Sequence, residues 1–210
     1  MKQRSATADR ILDASRTLFN AKGYAATSVT EIASSLGMSQ GNLTYHFPTK
    51  RDLALALEDD ILAIMREHRA KETRGSLAED YLDHIIFGME LTWRFRFLMR
   101  DRIHYSDSPI GHRPDSELNA DFLGLVDQLY RIREADLFLQ GQGEDLETLG
   151  RSLWIVSRFW IDYLRELEGL TQISWADQQR GIRQNLAILL PCLKASARRE
   201  FEAELERRQL

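Results

Sequence analysis

Apolar residues recur every three to four positions in nearly every segment of this 210-residue chain, and no stretch sustains the strict alternation of a half-buried strand. That pattern confines the chain to an all-α fold. A first helix is expected over about Thr7 to Ala21, with Ile11, Ala14, Leu18 and Phe19 on one stripe and Gly23 as its stop. Thr27 or Ser28 caps a short helix through Leu36, and Glu31 stands three residues after Ser28, the spacing of a capping box. Gly37 turns the chain and Ser39 caps a second short helix. Phe47-Pro48 ends it, because the residue before a proline is biased away from the α region. A long helix then runs from near Lys50 to Arg69, and after a break at Gly75-Ser76 another runs from Leu77 to about Trp93. Downstream, "DSPIGHRPDSE" reads as a loop, Glu117 to Ala135 and Leu146 to Glu168 as helices separated by "QGQGED", and Ser174 as the cap of a helix that Pro191 kinks or ends. The charged tail from Lys194 reads as a frayed helix.

The second short helix raises a physical question. A helix contributes to stability mainly by burying an apolar face, yet here that face is little more than Leu43 and Phe47, while Ser39, Gln40, Asn42 and Thr44 point elsewhere. Two short helices about a tight glycine turn, behind a supporting helix, form a helix-turn-helix pattern. In that motif the second helix enters the major groove of DNA. Gln and Asn suit it, since either amide can pair bidentately with adenine. A solvated surface helix in an ordinary bundle is the competing reading of the same residues.

Charge is consistent with a polyanion-facing head. The net charge is −4, but residues 1–52 hold seven Lys/Arg against four acids, so the head is +3 and the remainder −7. The single cysteine, Cys192, lies in apolar "LAILLPCLK" and excludes a disulfide within the chain, which fits a reducing compartment. There is no run of about 18 apolar residues and no signal-peptide core. A cytoplasmic protein without membrane association is expected.

The stretch from about Arg10 to Leu57, "RILDASRTLFNAKGYAATSVTEIASSLGMSQGNLTYHFPTKRDLALAL", closely resembles the N-terminal domain of the TetR family of bacterial transcriptional regulators, through the elements "A..LF...GY..TSV..IA...GMS.G.LTYHF..K..L". The resemblance implies a DNA-binding domain over residues 1–50 and a helical ligand-binding and dimerisation domain over 51–210. It makes Ser39 to Phe47 the recognition helix, with Gln40, Asn42, Thr44, Tyr45 and His46 as groove and phosphate contacts and Ser39 at its start. Thr27, Ser28 and Lys50 would face the DNA backbone, where hydroxyls, helix N-termini and ammonium groups suit phosphate oxygens. Many relatives carry a cation near the position of Gln40 and an aromatic at that of Thr44, so this chain departs from them there. Leu43 and Phe47 are read as core.

In the body, "IIFGMELTWRFRFLMRDRIHY" and "LWIVSRFWIDYL" hold nine of the nineteen aromatics, interspersed with Arg96, Arg100, His104 and Arg158. Most of these aromatics are expected to be core. As a group they fit an apolar cavity with a few orienting polar groups, for which Phe87, Trp93, Phe97, Arg100, His104, Trp154, Arg158 and Tyr163 are the candidate lining. The helices Leu146 to Glu168 and Trp175 to Leu190 are apolar on more than one stripe, so they are expected to pair with a second subunit through Val156, Trp160 and Ile188. The expected partners are an inverted-repeat duplex, a small apolar or aromatic effector and a second copy of the chain. No cofactor, metal or catalytic group is expected. The five histidines lack metal-ligand spacing, no glycine-rich phosphate loop follows a strand, and Cys192 has apolar neighbours. A small helical enzyme and a helical interaction scaffold are the alternatives; salt-sensitive duplex binding separates both from a regulator.

Overall fold

Side-chain caps start the helices where the sequence punctuates them. The computed structural model describes residues 4–71, 75–101 and 117–210, except the side chains of 99 and 100. Its helices are α1 (Ala6–Lys22), α2 (Val29–Ser35), α3 (Gln40–His46), α4 (Lys50–Arg69), α5 (Leu77–Arg94), α6 (Arg96–Asp101), α7 (Glu117–Glu134), α8 (Leu146–Glu166), α9 (Trp175–Leu189) and α10 (Ala195–Arg207), with a 3-10 turn at Leu190–Cys192 where Pro191 was expected to end α9. The all-α class holds: among the described residues, extended backbone pairs only in an isolated bridge between Phe138 and Leu193. Ser28, not Thr27, caps α2, by accepting from the Glu31 N–H. Glu31 itself turns to Lys22, so only half of the expected capping box forms at this site. Ser174 and Asp177 form both halves at α9. The expected loop over 107–116 lies outside the described residues.

Of the described residues, 4–67 and 95–101 make one compact unit, and 68–94 with 117–210 make another. In the first, Ile11, Leu12, Ser15 and Phe19 of α1 are buried, together with Ile32 and Ala33 of α2, Leu43 of α3, and Leu53, Leu57 and Ile61 of α4. The α6 segment, which periodicity did not separate from its neighbours, closes on α1. The Phe97 ring sits 5.2 Å from that of Phe19, and the Phe97 N–H donates to Asn20 Oδ1 at 3.1 Å.

The second unit is built around α5, against which α7, α8, α9 and α10 all pack. Gly181 lets α9 approach closely: a Cβ there would lie 2.4 Å from Met89 Cε and 2.6 Å from Trp160 Cδ1. A polar seam runs through this apolar core. The Tyr81 hydroxyl, kept neutral because burial drives its pKa upward, donates to Asn185 Oδ1 at 2.7 Å. Asn185 Nδ2 in turn donates to the Leu153 carbonyl and to Ser157 Oγ, both at 3.0 Å. One amide thus fixes α5, α8 and α9 in register. Gln178, two turns toward the start of α9, is equally buried, yet neither polar atom of its side chain has a partner among the described residues.

The tail is not frayed. Ala197 and Phe201 are buried, with the Phe201 ring edge-on to Tyr81 at 5.6 Å, so the stripe docks instead of exposing an isolated, highly charged helix. Burying one phenyl group stabilises by roughly 1.5–3 kcal/mol. Glu204 holds Arg207 and Arg208, which reach on to Glu79 and Asp83 of α5.

These two amides give opposite expectations. Asn185→Leu strands the Tyr81 hydroxyl and should lower unfolding stability by about 2–4 kcal/mol, whereas Gln178→Met removes an amide without a partner and should raise it by about 1–3 kcal/mol. Urea titrations of the two variants check both signs.

Candidate nucleic-acid interface and interior cavity

The turn between α2 and α3 is fixed by backbone geometry. Gly37 takes φ +67°, a conformation that disfavours side chains, and the Met38 N–H returns to the Ala33 carbonyl at 3.1 Å. Ser39 then caps α3 by accepting from the Asn42 N–H. Leu43 at 0% exposure and Phe47 at 8% anchor the helix, and Gln40, Asn42 and Tyr45 stand exposed, Tyr45 at 85%. His46 is half-buried with its ring edge-on to Tyr45. An aromatic left this open, next to two amides, gains nothing from the fold.

Hydrogen bonds divide the remaining candidates. Gln40 Oε1 accepts from Thr30 Oγ1 at 2.7 Å, which engages its acceptor and leaves the Nε2 donors available. The Thr44 hydroxyl donates back to the Gln40 and Gly41 carbonyls, which satisfies its hydrogen. Ser28 is exposed at the start of α2. Thr27 is instead buried, and its hydroxyl donates to the Gly23 carbonyl at 2.8 Å, so it serves the α1–α2 turn rather than a phosphate. Lys50 Nζ donates to the carbonyls of Tyr24 (2.8 Å), Thr27 (2.9 Å) and Ala25 (3.4 Å) and lies 4.4 Å from the Tyr24 ring centroid. Its three protons are engaged inside the unit. The lysine therefore acts as a clamp on the turn that positions Ser28, and the expected direct contact with DNA is not the geometry it has.

In the second unit a cavity of about 30 Å³, partly open to solvent, is lined by His84, Ile85, Gly88 and Thr92 of α5, Asp121 and Leu125 of α7, and Trp154, Ser157 and Arg158 of α8. It has room for about two waters, which is too small for an aromatic molecule in this form. Trp154 and Arg158 were expected here. The other candidates are placed elsewhere: Phe97 is core in the first unit, Phe87 stacks on His68 at 3.5 Å, and Tyr163 is 41% exposed and stacked on Trp160. Trp93 is half-buried and not among the lining residues. Burial, aided by the charge of His84, lowers the His68 pKa, so the stacked ring favours its neutral form. His104 and the Arg100 side chain lie outside the described residues.

His84, Gly88 and Thr92 were missed, although their four-residue spacing puts a polar and small stripe along one face of α5. Trp154 Nε1 donates to Asp121 Oδ2 at 3.4 Å, and His84 Nε2 is 3.7 Å from Asp121 Oδ1. Burial lowers the Arg158 pKa to about 10, opposed by the charges of Asp162 and Asp121. Among the described residues no group of His, Cys, Asp and Glu is disposed to hold a metal, and no helix is long and apolar enough to cross a membrane.

Of the expected dimer residues, Trp160 is committed to its own core, 8% exposed with Nε1 donating to the Asp177 carbonyl at 2.8 Å. Val156 and Ile188 are partly buried against that core. Ile155 (48%), Phe159 (49%) and Leu167 (77%) are the open apolar groups of α8 and its end, in line with Tyr163 at intervals of four.

Residues 11–57 match the family model described as bacterial regulatory proteins of the tetR family, and residues 57–201 match the one described as bacterial transcriptional repressor. A TetR-family transcriptional regulator from Marinobacter aquaeolei VT8 has a similar crystal structure, with TM-score 0.79 and 26% identity, over 97% of this chain and 98% of that one. An uncharacterized HTH-type regulator in the lacX 3' region of Lactococcus lactis is 28% identical over 126 residues, 59% of this chain. The regulator AcrR of Shigella flexneri is 31% identical over 104 residues, 47% of this chain. The chain spans 62% and 48% of the lengths of these two curated relatives, less than two thirds of each.

Lys50→Met should remove the clamp. The expected result is a loss of about 1–3 kcal/mol of stability, with faster hydrogen exchange at the amides of residues 24–28. Unchanged exchange there would assign the lysine a different role.

Proposed function

The chain belongs to the TetR family of bacterial transcriptional regulators, and on that premise we propose that it is a homodimeric repressor that binds an inverted-repeat operator and is released by a small effector. The observation that carries the proposal is α3, whose Gln40, Asn42 and Tyr45 are exposed while Leu43 and Phe47 anchor the helix. The DNA-facing segment in this reading is residues 1–50, within the unit that α4 and α6 complete, and the effector and dimer body is the unit of 68–94 with 117–210. Gln40, Asn42, Thr44, Tyr45 and His46 face the duplex, with Ser39 and Ser28 at helix starts that suit phosphate. Because Thr30 engages its acceptor, Gln40 reads base acceptors through Nε2, such as guanine O6 and N7 or thymine O4. Asn42 carries the amide for a bidentate pair with adenine.

The dimer face runs along Ile155, Phe159, Tyr163 and Leu167, since large side chains left this open on consecutive turns favour a covering partner. The effector enters the body at the Trp154–Arg158 cavity, in a conformation more open than the present one. By linkage, an effector that binds better to a form poor at DNA binding must weaken operator affinity.

Selection of bound duplexes from a random pool tests the core of this reading, with a two-fold symmetric site as the expected product. Asn42→Ala and Gln40→Ala should each change base preference at one position per half-site, by about 1–3 kcal/mol where a bidentate contact is lost. Retention of the wild-type preference by both variants would sink the assignment of α3. Phe159→Glu should convert the dimer to a monomer in light scattering; a wild type already monomeric at micromolar concentration removes the dimer.

A further inference from the structure

We infer that the cavity between α5, α7 and α8 takes a carboxylate ligand, with Arg158 as the group that binds it. This deepens the reading of the body as an effector domain and rests on it. The Arg158 Nε is buried without a hydrogen-bond partner among the described residues, and its guanidinium carbon lies 5.7 Å from the centroid of the Phe159 ring. A guanidinium removed from water is costly unless a hydrogen-bonded anion or a set of carbonyls compensates it. Neither of the two acids whose charge it feels is paired with it among the described residues. Asp121 accepts from Trp154 Nε1 and stands 3.7 Å from His84 Nε2, while Asp162 stands 4.0 Å from Arg165. Ser157, beside Arg158 in the lining, already accepts from Asn185 and donates to the Leu153 carbonyl. Arg158 is thus the strong donor of this cavity whose bonding is left incomplete.

The planar fork of a guanidinium matches a carboxylate through two parallel N–H···O bonds, a geometry that a neutral amide cannot accept twice. The space of about 30 Å³ is on the scale of that head group, and the open side leaves a path for an apolar body beyond it. Trp154, Ile85 and Leu125 supply the apolar wall against which such a body would lie. Asp121, held by Trp154 and near His84, rejects a second anionic group on the same ligand. The chemistry therefore favours a monocarboxylate with an aliphatic or aromatic body over a dicarboxylate or a cation.

Benzoate and hexanoate, each against its neutral amide, are the probes. The readouts are the thermal midpoint of the purified full chain and quenching of its tryptophan fluorescence. At least one acid should raise the midpoint of the wild type while its amide does not, and that difference should vanish in Arg158→Met and in Arg158→Gln. Arg158→Met should also melt about 2–4 °C higher than the wild type without ligand, because a half-buried cation whose Nε lacks a partner has been replaced by an apolar side chain of similar reach. No acid-over-amide difference in the wild type, or the same difference retained in whichever variant folds, overturns the proposal. Operator affinity is measured in parallel. A carboxylate that binds through Arg158 and leaves operator affinity unchanged upholds the site and refutes its role as the effector site.

Discussion

A helix of seven residues makes too few internal hydrogen bonds to persist in water on its own, and α2 and α3 are both of that length. Everything the first unit offers to solvent depends on how those two turns are held. Ile32, Ala33 and Leu43 bury against a core that includes Ile11 and Phe19, Gly37 sets the angle between them, and side-chain caps at Ser28 and Ser39 satisfy backbone donors that a short helix cannot. Lys50 ties the loop before α2 from the opposite side, through the carbonyls of residues 24, 25 and 27. Because so few groups are spent on holding α3, most of its surface is left for another molecule.

The second unit meets the reverse difficulty. Its helices are long and apolar, so burial alone would let them slide past one another; oil-like contacts specify register weakly. The Asn185 amide removes that freedom, since its three hydrogen bonds to α5 and α8 can be made in one register only. Gly181 works with it by bringing α9 to within contact of Met89 and Trp160, where any side chain would collide. The seam ends at Ser157, and the next residue is Arg158, where polar satisfaction stops. A fold that satisfies Tyr81, Asn185 and Ser157 yet leaves Arg158 Nε without a partner brings an unmet donor to the wall of this cavity.

The limits of sequence reading fall on side chains with two plausible uses. Thr27 and Ser28 are adjacent hydroxyls at one helix start, and nothing local distinguishes them. The close carbonyl of Gly23 takes Thr27 inward and leaves Ser28 to cap. Phe97 and Phe87 both read as aromatics of one segment, but the chain passes from one unit to the other between residues 94 and 95, so Phe97 meets Phe19 while Phe87 meets His68. On α8, Phe159 and Trp160 are neighbours with similar apolarity. Only the approach of Gly181 decides that Trp160 is covered by its own chain and Phe159 is not.

By itself the sequence determined the all-helical class, the place of most helix starts and stops, and the polar character of α3. These follow from short-range physics: a 3.6-residue period, a cap within three residues, a glycine that tolerates positive φ, and a proline that ends a run. Tertiary structure alone decided which stripe of each helix is covered, that the charged tail docks through Phe201, and that His84 of α5 meets Asp121 of α7 beside Trp154 and Arg158 of α8. Those outcomes depend on which distant backbone arrives at a given face. Periodicity gives the direction of a side chain about its own helix axis and carries no information about what lies opposite it.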